Sequence, residues 1–189
     1  MLLPIAIGLI EGRPPTYQSR SVQTSQIINA PTHQVWDELV FYEEIDREPP
    51  WLLKLGLPRP LGTTGTVDRV GAIKKCLYDS GTITKCITEF ESRRRLAFEV
   101  IEQDIHFEHD VELLGGQFEL IIEPHGQTRL TLTTDYRPLV APRWLWQPIE
   151  ELAIHQLHEH VLTGISQRVE SRGETFTMEH RHDDVDQHH

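Results

Sequence analysis

At 189 residues the chain is long enough for one domain with a sizeable core. Its 29 Asp and Glu against 18 Lys and Arg leave a net charge of −11, which argues against a nucleic-acid partner and against a polybasic membrane-surface protein. A neutral or hydrophobic small molecule is compatible with that balance, and so is a basic partner.

Residues 1–20 read as an apolar segment followed by a proline-rich linker. The stretch MLLPIAIGLI is too short to span a bilayer, which takes about 20 residues. It lacks the basic region and small-residue cleavage site of a signal peptide. It reads as a packing segment or first strand, with a peripheral membrane contact through the N-terminus as the sharper alternative. SVQTSQIINA (21–30) then reads as a strand. APTHQVWDELV starts a helix, with Pro31 in the first turn, Thr32 as its cap and Val35, Trp36, Leu39 and Val40 on one apolar face. REPPWLLKLGLPRPLG (47–62) is broken by four prolines and leaves room for a short helix at Trp51–Leu55 inside a long connection.

The chain from there to residue 139 reads as β. Residues 65–78 form one strand that turns at DSG into 82–91. SRRR marks the next turn, and Leu96, Phe98 and Val100 alternate along 96–104. IHFEHDVELLG (105–115) reads as an irregular polar connection. Phe118, Leu120 and Ile122 alternate along 116–124, HG (125–126) fits a tight hairpin turn, and Leu130, Leu132, Thr134 and Tyr136 alternate along 128–138. Cys76 and Cys86 flank the DSG turn but do not face each other, so they are expected to be reduced, as in a cytoplasmic chain.

After RWLWQP the spacing predicts a helix from Ile149 to near Ser171. Its two tryptophans point to different sides, so one is expected to be exposed. At 100° per residue, Ile154, Leu157, Val161 and Ile165 share a face. His158 falls inside that arc, His155 on its edge, and His160 points away. Residues 173–189, acidic and histidine-rich, show no apolar periodicity and are expected to be disordered. An antiparallel meander with one apolar face must cover that face, and the C-terminal helix is the element long enough to do so.

This order resembles the START-like, or SRPBCC, helix-grip superfamily, also known as the polyketide-cyclase-like group. The resemblance is carried by VQTSQIINAPTHQVWDELV (22–40), ITEFESRRRLAFEV (87–100), GGQFELIIEPHGQTRLTLTTDYRP (115–138) and the helix at 149–171. It spans residues 21–171, and the expected domain is 21–172. It implies an α+β fold: a curved antiparallel sheet of six or seven strands wrapped around a long C-terminal helix, with one or two short helices after the first strand. It also implies a cavity between sheet and helix for a hydrophobic or amphiphilic ligand.

On that fold His158 reads either as a hydrogen-bonded core histidine or as the polar anchor of a ligand. The other residues expected around the ligand are His155, Tyr136, Thr134, Phe118, Leu120, Phe98, Trp51, Leu55 and His106. In a cyclase or aromatase, His158 would work with Tyr136 or Glu102 as base and donor. A third reading is a protein-interaction module with a closed core. No cofactor is expected. HQLHEH is not the H-E-x-x-H zinc motif, so no metal site is expected. A cytoplasmic location, with membrane association as the alternative, follows from the reduced cysteines and the apolar start. The oligomeric state is not readable.

Overall fold

The computed structural model describes residues 17–40, 60–105 and 109–183, with backbone alone for Pro60 and for 173–183. The chain runs β1 (Arg20–Ile28), α1 (Thr32–Val40), β2 (Pro60–Gly65), β3 (Ile73–Tyr78), β4 (Gly81–Glu91), β5 (Arg95–Asp104), β6 (Val111–Ile122), β7 (Thr128–Pro138) and α2 (Arg143–Asp183). The strands form one antiparallel sheet in the order β1-β7-β6-β5-β4-β3-β2. Register shifts at Thr84/Lys85, Ile87/Glu89 and Leu113/Gly115 add to the natural twist and curl the sheet. Its concave face meets α2. This is the helix-grip arrangement expected from the sequence.

The hairpin at His125–Gly126 forms as read: both residues have positive φ, 61° and 76°, which is what a two-residue turn between right-twisted strands demands. The DSG turn also holds. Cys76 pairs with Ile83 and Cys86 with Ile73, so both cysteines are free and half-buried.

Three boundaries differ from the sequence reading. Residues 65–78 are not one strand. Gly65 and Gly71, with φ of 100° and 84°, turn the chain back, so β2 pairs antiparallel with β3. Residues 111–115 are strand rather than loop. There the main-chain pairing of β5 with β6 has ended, and the Gln103 side chain takes its place. It donates to the Val111 carbonyl and accepts from the Leu113 amide, both at 2.8 Å. The final helix starts at Arg143, before Pro148, and continues to Asp183, so the segment expected to be disordered from 173 is helical that far. Proline removes one main-chain bond from the second turn. The Arg143 guanidinium spans that gap and grips Glu150 with two bonds of 2.6 and 2.7 Å. Among the described residues no helix is long and apolar enough to cross a membrane.

In the main core cluster Val35, Trp36 and Leu39 of α1 meet Leu162, Ile165 and Val169 of α2 above Ile87, Leu96, Leu120, Leu130 and Leu132 of the sheet. Trp36 packs edge-on against Phe90. Thr32 does not cap its helix; its hydroxyl lies 3.3 Å from that of Thr128, which in turn donates to the Ala30 carbonyl. Glu38, on the inner side of α1, is only 2% exposed and sits 3.6 Å from Arg168 and 2.9 Å from Arg172. This pair of ion contacts ties α1 to α2.

Because Arg172 is 71% exposed while Glu38 is buried, the two ends of this contact are not equivalent. Replacing Glu38 with Gln leaves arginines that water can solvate, and should cost about 1 kcal/mol. Replacing Arg168 and Arg172 together with Leu strands a buried carboxylate, and should cost about 3 kcal/mol. Thermal or urea melts of the two variants check the order. Equal losses would show that burial of Glu38 does not govern the pair.

Candidate ligand-binding cavity

Alternate residues of the sheet point at α2. From β3 these are Lys74, Cys76 and Tyr78; from β4, Lys85 and Ile87; from β5, Leu96 and Phe98. Phe118 of β6 and Leu132 and Thr134 of β7 continue the row. Together with Leu157, His158, Val161 and Ile165 of α2, these residues line a cavity of about 140 Å³. The space persists because the sheet curves away from the helix and carries small groups at Cys76 and Thr134. At Gly116 a side chain is excluded: a Cβ there would collide with the Thr133 carbonyl and press on the Phe98 ring, which lies across this glycine. Phe98 and Phe118 stand with their ring centres 6.4 Å apart and form the aromatic wall.

A second, strongly apolar cavity of about 200 Å³ adjoins it under the first turns of α2. Ile83, Ile105, Leu113, Trp146, Ile149 and Ile154 line it, and it shares Tyr78 and Leu157 with the first. An apolar cavity of about 150 Å³ accepts a single benzene ring. Either chamber alone therefore fits one ring, and a longer ligand needs both. Burial pushes the Tyr78 phenol well above its ordinary pKa, with Cys76 adding to the effect, so its hydroxyl stays protonated as a donor between the chambers.

His158 is the polar centre of the first chamber. Val22 of β1 lies opposite Thr134 of β7, and Thr24 opposite Leu132, so Thr24 and Thr134 are diagonal neighbours on the inner face. The imidazole reaches across that diagonal. Its Nδ1 lies 3.0 Å from the Thr24 hydroxyl and its Nε2 lies 2.8 Å from the Thr134 hydroxyl. The Thr24 oxygen is also 2.8 Å from Nδ1 of the exposed His155. One hydroxyl proton serves only one of two ring nitrogens. If His158 Nδ1 donates to Thr24, then Thr134 donates to His158 Nε2 and offers lone pairs to the cavity. In the reverse direction Thr134 offers a proton. Burial, then His155 and Lys85, lowers the His158 pKa to about 4, so the ring is neutral at physiological pH.

Of the residues expected around a ligand, His158, Thr134, Phe98 and Phe118 line the first chamber. His155 stands outside it, linked through Thr24. Tyr136 and Leu120 line neither chamber. Tyr136 is fully buried against Val22 and Ile154, where burial and the carboxylates of Glu150 and Glu151 raise its pKa, and Leu120 belongs to the main core. Glu102 is exposed and accepts a bond of 3.0 Å from Thr84. The three groups weighed for acid–base work are thus not assembled around one cavity. Trp51, Leu55 and His106 lie outside the described residues. His160, which points away from the apolar arc, is also buried. Among the described residues no group of three metal-ligating side chains occurs. Sequence reasoning missed Lys74, Cys76, Tyr78 and Lys85. Their shared face follows from period-two alternation only once the limits of β3 and β4 are known.

No protein-family model matches the chain, and no curated protein sequence matches it. Solved structures do. The Zhui aromatase/cyclase from Streptomyces sp. R1128 superposes with a TM-score of 0.60 at 16% identity over 82% of this chain and 96% of its own. A START superfamily protein from Mycobacterium smegmatis gives 0.59 at 13% over 80% and 97%. Truncated norcoclaurine synthase from Thalictrum flavum gives 0.57 at 11% over 83% and 97%. The chain thus has the START-like, polyketide-cyclase-like helix-grip fold.

Because the folded-state pKa of His158 is depressed, the unfolded chain binds the extra proton first as pH falls. Its share of stability is fully present above pH ~6.5 and is lost on acidification towards pH 4. The loss should be about 2–3 kcal/mol. Urea midpoints measured between pH 7 and 4.5 should fall more steeply for the native chain than for His158→Gln. Parallel curves would mean that His158 does not carry this dependence.

Proposed function

We propose that the protein binds a hydrophobic or amphiphilic small molecule between the sheet and α2, and does so without catalysis. The observation that carries this reading is the pair of adjoining chambers: mostly apolar walls that also carry Lys74, Lys85 and Tyr78, with one neutral, hydrogen-bonded histidine beside a threonine hydroxyl on the helix side. Few polar groups in a mostly apolar concavity is how small-molecule sites combine affinity with orientation. Each 100 Å² of apolar ligand surface removed from water contributes about 2.5 kcal/mol. Thr134, and through it His158, sets which polar end of a ligand is accepted. The solved neighbours named for small-molecule enzymes and for START proteins support a ligand-holding role for this fold.

A histidine that protonates only near pH 4 and has a threonine on each ring nitrogen is a weak proton acceptor at neutral pH. Glu102 and Tyr136 stand outside the cavity. Both points favour carriage or sensing over turnover.

Leu157 borders both chambers, so Leu157→Trp should fill the passage while keeping the helix. Nile red is expected to bind the native chain in a one-to-one complex and at least tenfold more weakly to Leu157→Trp, with unchanged far-ultraviolet circular dichroism. Equal dye binding by a folded Leu157→Trp protein would place the apolar site elsewhere and overturn the reading.

A further inference from the structure

His155 is exposed, yet it is linked to the cavity. Its Nδ1 and the Nδ1 of His158 share one hydroxyl, that of Thr24, at 2.8 and 3.0 Å. The other ring nitrogen of His158 meets the Thr134 hydroxyl at 2.8 Å, and Thr134 lines the first chamber. From surface to cavity the order is imidazole, hydroxyl, imidazole, hydroxyl. A hydroxyl has one proton to give, and a neutral imidazole has one nitrogen that donates and one that accepts. The direction of the first bond therefore governs the direction of the later ones.

With a neutral His155 both directions are open: Thr24 can donate outward to His155 and accept from His158, or the reverse. A charged His155 has a proton on each nitrogen and can only donate. Thr24 then gives its own proton to Nδ1 of His158, because a hydroxyl proton aimed at neither ring forfeits a bond. His158 in turn carries its proton on Nε2 and donates to Thr134, and the Thr134 proton is turned to the cavity. The charged and titratable groups that the described elements bring around this pair are Arg20 of β1, paired with Glu151 at 3.2 Å, Tyr136 of β7 beside Glu150, Lys85 of β4, and Glu159, which accepts from Gln156 at 2.9 Å. Carboxylates, lysine, arginine and tyrosine ordinarily keep one charge state between about pH 6 and 8, whereas histidine ordinarily changes its charge there. His158 does not compete for the proton, since burial and the neighbouring His155 keep its ring neutral.

We infer that His155, outside the cavity, sets the hydrogen-bond polarity inside it: the protonated imidazole makes Thr134 a donor and turns the site towards ligands with a carbonyl or ether oxygen. This rests on the cavity reading above and adds to it the polar group of the ligand and its control by pH. His155 and Thr24 are positioning residues, and neither lines a chamber. Mild acidification favours uptake of such a ligand, and a return to alkaline pH favours its release. The effect has the size of one hydrogen bond, about threefold to tenfold in affinity.

Long-range proton–nitrogen NMR of the histidine rings reads the tautomer of His158. Between pH 8 and pH 6 its proton is expected to move towards Nε2 in step with the titration of His155, and to be indifferent to pH in His155→Leu. Displacement of Nile red by 2-acetylnaphthalene and by 2-ethylnaphthalene, which lacks the oxygen, reads the consequence. The ratio of the two affinities cancels the dye's own response to pH. It should rise about threefold or more from pH 8 to pH 6 in the native chain, and stay level in His155→Leu. Thr24→Val, which keeps the side-chain shape without the hydroxyl, should hold the ratio level as well and serves as the second variant. A His158 tautomer that ignores pH in the native chain would overturn the inference and leave the apolar cavity standing. So would a ratio that stays level in the native chain, or one that rises equally in folded His155→Leu. Failure of Nile red to bind the native chain at all would overturn the cavity reading, and the ligand preference with it.

Discussion

A curved sheet of seven strands with one apolar face has to be covered along its length, and α2 is the described element that covers it. Everything else about the molecule follows from how that helix is held. Apolar contact secures its middle turns, where Leu162, Ile165 and Val169 join the main core. Such contact is non-directional, and by itself it would let the helix slide or roll. Three polar contacts restrain it: Arg20 of β1 meets Glu151, His158 bridges Thr24 and Thr134, and Glu38 meets Arg168 and Arg172. They lie near the start, in the middle and past the core of α2.

The middle contact also belongs to the cavity. A histidine that orients the helix and at the same time borders the empty space couples the position of the lid to the polarity inside. Its neutral ring is what burial demands, since a charged imidazole between two hydroxyls would lose much of its solvation. The same burial makes it a poor base. Packing and electrostatics therefore give one result: a rigid polar point on an apolar wall. The exposed apolar surface at the start of α2, where Trp144 is 78% exposed and Trp146 lines the second chamber, lies at the far end of that wall.

Much of the fold and part of the cavity are legible in the residue pattern. Alternation at Leu96 and Phe98, and at Leu130, Leu132 and Thr134, marks inner faces because a strand has a period of two. The period of 3.6 puts His158 within the apolar arc of the last helix. Other features are not legible, for identifiable reasons. Helix periodicity describes one contact face, so it gives no sign that His160, away from that face, is buried as well. A proline usually marks a helix start, so the turns before Pro148 are hidden; the Arg143–Glu150 bridge carries the helix across it. The start of β6 is hidden because a glutamine side chain, not a main-chain ladder, makes its first bonds to β5.

The residue pattern by itself determined the inner faces that carry Phe98, Phe118, Thr134 and His158, because periodicity is a local property of each strand and helix; the resemblance to the START-like group supplied the class of architecture and the expectation of a space between those faces. Tertiary structure alone decided that Tyr136 and Glu102 stand apart from that space, that Thr24 links His155 to His158, and that Lys74 faces Lys85 beside Phe98. Those relations depend on strand register and on the seating of α2. Register is set by pairing between segments far apart in the chain, and no local pattern encodes it.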